Sequence, residues 1–160
     1  MRARDGTRRS KYAHRGRSRP AAIMSALAIL MAACAHGAAS DVAEGLVGTR
    51  WLADDIGGRG VIDYAQSTLE FTEPRRVVGS GACNRFTGPA TIEVDTLALR
   101  PLAATRRACP PAVMDQEAKF FAALDATRRW EVAPDAGLLR LYDASGAEVV
   151  RLSRLGSSAG

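Results

Sequence analysis

Histidine is nearly absent from this 160-residue chain, which has only two. His14 lies in a basic amino-terminal segment and His36 in a small, polar stretch, so neither stands where a folded domain would use it. The body of the chain therefore lacks a His general base and a His metal ligand. That removes the Ser-His-Asp and Cys-His catalytic arrangements and most zinc sites. No phosphate loop is present either: Gly79, Gly81 and Gly88 are not followed by Gly-Lys-Ser/Thr, and no helix starts there. Ser80 stands in Gly-Ser-Gly rather than in a nucleophile elbow. Aromatics make up 6% of the chain, so each large core anchor matters. Cysteine is limited to Cys34, Cys83 and Cys109.

The amino terminus reads as a targeting segment. Residues 1–20 hold eight basic side chains against Asp5, and Ala21 to Ala33 follow as thirteen residues without a charge. Thirteen helical residues reach about 20 Å, short of the ~30 Å hydrocarbon core, so this is a secretory signal over residues 1–33 rather than a membrane span. Met31 to Cys34 (MAAC) resembles a lipobox, with Met31 where Leu is usual, and makes Cys34 the expected acylated residue. Ordinary cleavage within Ala35 to Ser40 is the competing pattern. Arg8-Arg9 hints at a twin-arginine route but no apolar pair follows, and the long extension before Met24 leaves open a downstream start. Ala35 behind Cys34 lacks the Asp of inner-membrane retention, so an outer-membrane anchor facing the periplasm is expected over the inner membrane, with a soluble periplasmic or secreted form as the alternative.

The whole chain carries 22 Lys+Arg and 17 Asp+Glu. Removing the signal's 8 and 1 leaves 14 and 16, a net of −2. The basic character belongs to the targeting segment, and no nucleic-acid partner is expected.

Residues 34–47 form a small, polar, flexible tether, residues 48–155 one domain, and residues 156–160 a disordered tail. Thr49 to Ile56 reads as a strand anchored by Trp51. Ser67 to Phe71 alternates, with Leu69 and Phe71 on one face. Arg75 to Cys83 is a third strand whose glycines point to a bulge or close packing. Thr91 to Val94 and Leu97 to Leu99 flank a turn, and Asp143 to Gly146 joins Leu138–Tyr142 to Glu148–Leu152 as a hairpin. The spacing of Val113, Phe120 and Leu124 predicts one helix over Asp115 to Ala126, with Asp115 as N-cap, acids in the first turn, and Pro110-Pro111 barring helix before it. The fold class is α+β, a curved antiparallel sheet packed on that helix.

Cys83 and Cys109 are read as a disulfide, the default for such a pair in an exported chain. Closing a loop of about 27 residues stabilises by roughly 3.5 kcal/mol in the chain-entropy description. A redox-active pair and free thiols are the alternatives; the pair lacks the C-x-x-C spacing and helix context of thiol oxidoreductases.

Gly81, Cys83, Asn84, Phe86 and Gly88 give Gly-x-Cys-Asn-x-Phe-x-Gly, and Thr105 and Cys109 precede the helix. With Trp51, Phe120, Leu124 and the closing hairpin, these motifs resemble the META domain family of HslJ-like heat-shock lipoproteins over about residues 48–154. Arg106-Arg107 and Pro110-Pro111 make the Cys109 loop more charged and stiffer than the family pattern. The resemblance implies an envelope lipoprotein connected with stress or antibiotic tolerance, and it carries over no catalytic residue. The Cys83–Cys109 pairing carries over only where both cysteines are present.

Asn84 and Arg85 are the candidate recognition loop; the competing reading has Asn84 capping a turn or adopting a left-handed conformation. Phe86 is read as core. Asp54, Asp55, Glu70 and Glu73 are read as solvated acids, the alternative being a carboxylate hydrolase. Arg106-Arg107 and Arg128-Arg129 form a solvated face or contact anionic lipid or cell-wall polymer. No metal and no cofactor are expected. The functional expectation is a non-enzymatic, lipid-anchored envelope protein that binds an unknown envelope protein or ligand; the alternative is a secreted inhibitor or binding module for an extracytoplasmic enzyme.

Overall fold

A computed structural model of the chain describes residues 45–156. The signal segment, Cys34 and most of the tether lie outside the described residues, as do residues 157–160 of the tail.

Ten strands and one long helix make up the domain: β1 (Thr49–Ile56), β2 (Ser67–Glu73), β3 (Arg76–Gly81), β4 (Arg85–Pro89), β5 (Thr91–Ile92), β6 (Leu97–Ala98), β7 (Ala103–Ala104), α1 (Pro111–Ala126), β8 (Arg129–Ala133), β9 (Leu138–Tyr142) and β10 (Glu148–Leu155). Eight of them form one sheet in the order β7-β4-β3-β2-β1-β10-β9-β8, with every pairing antiparallel. β5 and β6 form a separate two-stranded ribbon, bridged to β8 through Thr96 and Arg129. This is the α+β architecture the sequence predicts.

Strand alternation decides which residues meet the helix. In β1–β4 the paired row Trp51, Leu69, Gly79 and Phe86 faces inward, and Trp51, Leu69 and Phe86 are buried. α1 sets Phe120 and Leu124 onto this face, both fully buried. Phe86 meets Phe121 and Phe120 edge to face, with ring centroids 5.4 and 6.2 Å apart.

Several elements differ from the sequence expectation. The helix begins at Pro111, four residues before Asp115. Proline at the first helical position loses nothing, because that N–H has no intrahelical acceptor. Asp115 is therefore inside the helix, where it pairs with Lys119 at 2.5 Å, and the first turn holds no acid. Leu46, assigned to the tether, is buried at 1%. Its carbonyl accepts from the Thr49 hydroxyl, which in turn accepts from the Trp51 indole N–H, so the folded domain starts before residue 48. Finally, β4, β7 and β8 were not expected, and they supply three of the sheet's eight strands.

Candidate functional site: the Cys-Asn turn and its buried carboxylate

β3 ends at Gly81 and β4 begins at Arg85, so three residues turn the chain. The Gly81 N–H donates to the Asn84 carbonyl at 2.8 Å, closing the turn. Ala82 sits at φ 99°, a region costly for a residue with a Cβ. Successive backbone N–H groups of Cys83 and Asn84 converge on Glu117 Oε2, at 3.1 and 2.6 Å. Such convergence makes an anion nest, and here the anion is the protein's own carboxylate.

Asn84 fills the rest of the site. Its Nδ2 donates to Glu117 Oε1 at 2.7 Å and to the Arg107 carbonyl at 3.2 Å. Its Oδ1 accepts from the Thr105 hydroxyl at 2.8 Å and the Arg107 N–H at 2.6 Å. Both donors and both acceptor positions of the amide are thus engaged. Asn84 and Glu117 are 3% and 5% exposed. Gly81 leaves the room: a Cβ there would lie 2.8 Å from Glu117 Cγ. Gly88 does the same for the loop before β7, where a Cβ would lie 2.7 Å from the Pro101 carbonyl oxygen.

The Cys83–Cys109 bond is formed, with Cα atoms 6.0 Å apart. It ties the turn to the segment that Asn84 already holds at Thr105 and Arg107. Cys83 packs with Ala65 and Val113 in a small second cluster, against half-buried Ile62, Ala82, Cys109 and Met114.

Of the two candidate recognition residues, Asn84 is interior and its side chain is taken up by the fold, so it neither faces a ligand nor caps a turn with its side chain. Arg85 is exposed and lines a groove of about 700 Å³ on the outer sheet face with Thr68, Ser80 and Thr87. The suspected carboxylates do not converge. Asp55 accepts from the Gly58 and Gly60 N–H groups at 2.6 and 2.8 Å, Asp54 accepts from the Ser153 hydroxyl, and Glu70 pairs with Arg50 at 3.9 Å. Glu73 stands exposed at the end of β2. Arg128 donates to the Asp125 and Thr127 carbonyls at the end of α1, and Arg129 pairs with Asp95 at 3.9 Å and lies 5.8 Å over the Tyr142 ring. Arg106 and Arg107 are exposed. Among the described residues no three His, Cys, Asp or Glu side chains group to hold a metal, and no buried side-chain N or O atom lacks a partner.

Sequence reasoning missed Glu117. Its signal was positional: Val113, Glu117, Phe120 and Leu124 fall on one helical stripe, so a carboxylate was being carried inward.

A single helix on an antiparallel sheet, with a disulfide fixing a Cys-Asn turn over a buried carboxylate, defines a small stapled α+β domain. The META domain family matches residues 44–155, and the chain belongs to that family. Two solved structures are similar. An NMR structure of a protein from Burkholderia xenovorans is 22% identical, with a TM-score of 0.60 over 72% of this chain and 88% of that one. A second NMR structure is 23% identical, with a TM-score of 0.57 over 74% of this chain and 97% of that one. Both share the fold. A comparison with curated proteins found no match.

Proposed function

We propose that this META domain protein is a non-enzymatic lipoprotein of the cell envelope, acylated at Cys34, that acts by binding an envelope partner in stress or antibiotic tolerance. The observation that carries the reading is the Cys83–Cys109 bond, because such bonds persist in oxidising compartments outside the cytoplasm. The basic and apolar segments before Cys34 agree with export. The Asn84–Glu117 pairing supports a binding rather than a reacting protein, since these buried polar groups bond to one another and hold a loop rigid. Two or three acyl chains on Cys34 would give stable attachment to a bilayer.

Intact mass of the protein extracted from its native membrane without reductant tests this. The expected mass is that of residues 34–160 plus two or three acyl chains, less two hydrogens. An unacylated species starting after Ala35, or two free thiols, would overturn the lipoprotein reading.

A further inference from the structure

Charge is distributed unevenly over the domain. Residues 45–156 hold fourteen basic and fourteen acidic side chains. Three loops beside the start of α1, residues 57–66, 82–85 and 105–110, hold Arg59, Arg85, Arg106 and Arg107 against Asp63, and the acids that border them are already engaged, Asp55 by the Gly58 and Gly60 N–H groups and Asp115 by Lys119. That leaves ten basic against thirteen acidic side chains elsewhere in the domain. None of the four arginines lies within 4.0 Å of a carboxylate among the described residues.

The loops are held together. The Thr105 N–H donates to the Arg85 carbonyl at 3.0 Å, and the Arg107 N–H is bound by Asn84. Gln116 of α1 accepts from the Ile62 N–H at 2.7 Å and donates to the Ala65 carbonyl at 2.6 Å, fixing the 57–66 loop beside them. That loop carries Tyr64, 79% exposed, while Ile62 and Met114 next to the disulfide are half-buried. An exposed aromatic ring and partly covered aliphatic groups amid unpaired arginines match an interface that is apolar inside and anionic at its surface.

We infer that this end of the domain docks on an anionic lipid bilayer, the arginines meeting phosphates and Tyr64 entering the headgroup layer. The chain's connection permits it. Leu46 enters at the other end of β1, and the roughly twelve residues from Cys34 to Gly45 extend to about 40 Å, beyond the ~26 Å length of an eight-residue strand. The docking needs no acyl chain, so it stands or falls separately from the lipoprotein reading.

The test uses residues 34–160 with Cys34→Ser; the strands and core described here all lie within residues 45–156. The readout is co-sedimentation with phosphatidylcholine vesicles with and without phosphatidylglycerol. Binding is expected only with the anionic lipid, with release by salt. It should weaken about a hundredfold in the R85S/R106S/R107S variant, at about fivefold for each arginine, and severalfold in Tyr64→Ser. R75S/R76S, which alters the opposite end of β3, should bind like the parent, and circular dichroism should show every variant folded. Equal binding by the triple variant, equal binding to neutral vesicles, or no vesicle binding would overturn the proposal. Capture by soluble polyphosphate without capture by vesicles would overturn it as well.

Discussion

The amide of Asn84 and the carboxylate of Glu117 meet at 2.7 Å in the interior, thirty-three residues apart in the chain. Around this contact the turn after β3, the loop after β7 and the helix are joined without a single cation.

Removing Asn84 should therefore cost far more than a surface amide would. In Asn84→Ala the buried Glu117 Oε1 loses its donor, while the Thr105 hydroxyl and the Arg107 N–H, on exposed residues, lose an acceptor that water can replace. At about 1–3 kcal/mol per unsatisfied buried group, a loss on the order of 2–3 kcal/mol is expected. Urea denaturation measures it, and a loss below about 1 kcal/mol would show that the network is not what holds the turn.

The turn itself holds two opposite backbone demands. Ala82 at φ 99° is where glycine is at ease, so Ala82→Gly should raise stability by up to about 1 kcal/mol despite the added freedom of the unfolded chain. Gly81→Ala should lower it, because the new methyl meets Glu117 Cγ at 2.8 Å. Paired thermal melts read both signs. If the two changes act in the same direction, this account of the turn fails.

Cys83→Ser with Cys109→Ser should cost about 3.5 kcal/mol, the chain-entropy value for a loop of this length. The sequence separation is 26. Because Asn84 holds Thr105 and Arg107 independently, the double variant should still fold. An unfolded double variant would mean that the hydrogen bonds cannot position the loop alone.

Much of this was legible in the sequence, for reasons that differ by element. Trp51, Leu69 and Phe71 announce their strands because large apolar side chains at period two need a covered face. The turn from Asp143 to Gly146 carries its own chemistry. β4 was hidden because Arg85–Pro89 contains a glycine and a proline, and only its place beside β3 and β7 makes it a strand. β8 follows α1 after two residues and opens on an arginine. Gln116 and Glu117 read as polar surface because their partners, the backbone groups of Ile62, Ala65, Cys83 and Asn84, lie 33 to 54 residues away. Local pattern reports which face is apolar. It does not report which distant N–H groups wait for a carboxylate.

Acid should loosen the β9–β10 hairpin before the rest of the domain. Asp143 Oδ1 accepts from the Ser145 hydroxyl at 2.6 Å and from the Ser145 and Ala147 N–H groups at 2.8 and 3.0 Å. The Ser145 hydroxyl first, and then the Ala147 N–H, hold the carboxyl below the ordinary carboxylate range. A group depressed in the folded state stabilises it above the unfolded value, near pH 4, and that contribution disappears as pH falls through the lower folded value. Amide exchange at Ser145 and Ala147, corrected for its intrinsic pH dependence, should therefore lose protection below about pH 4. In Asp143→Ala the protection should be low at neutral pH and show no such step. A step at the same pH in both proteins would assign the loosening to another acid and remove Asp143 from the account of the turn.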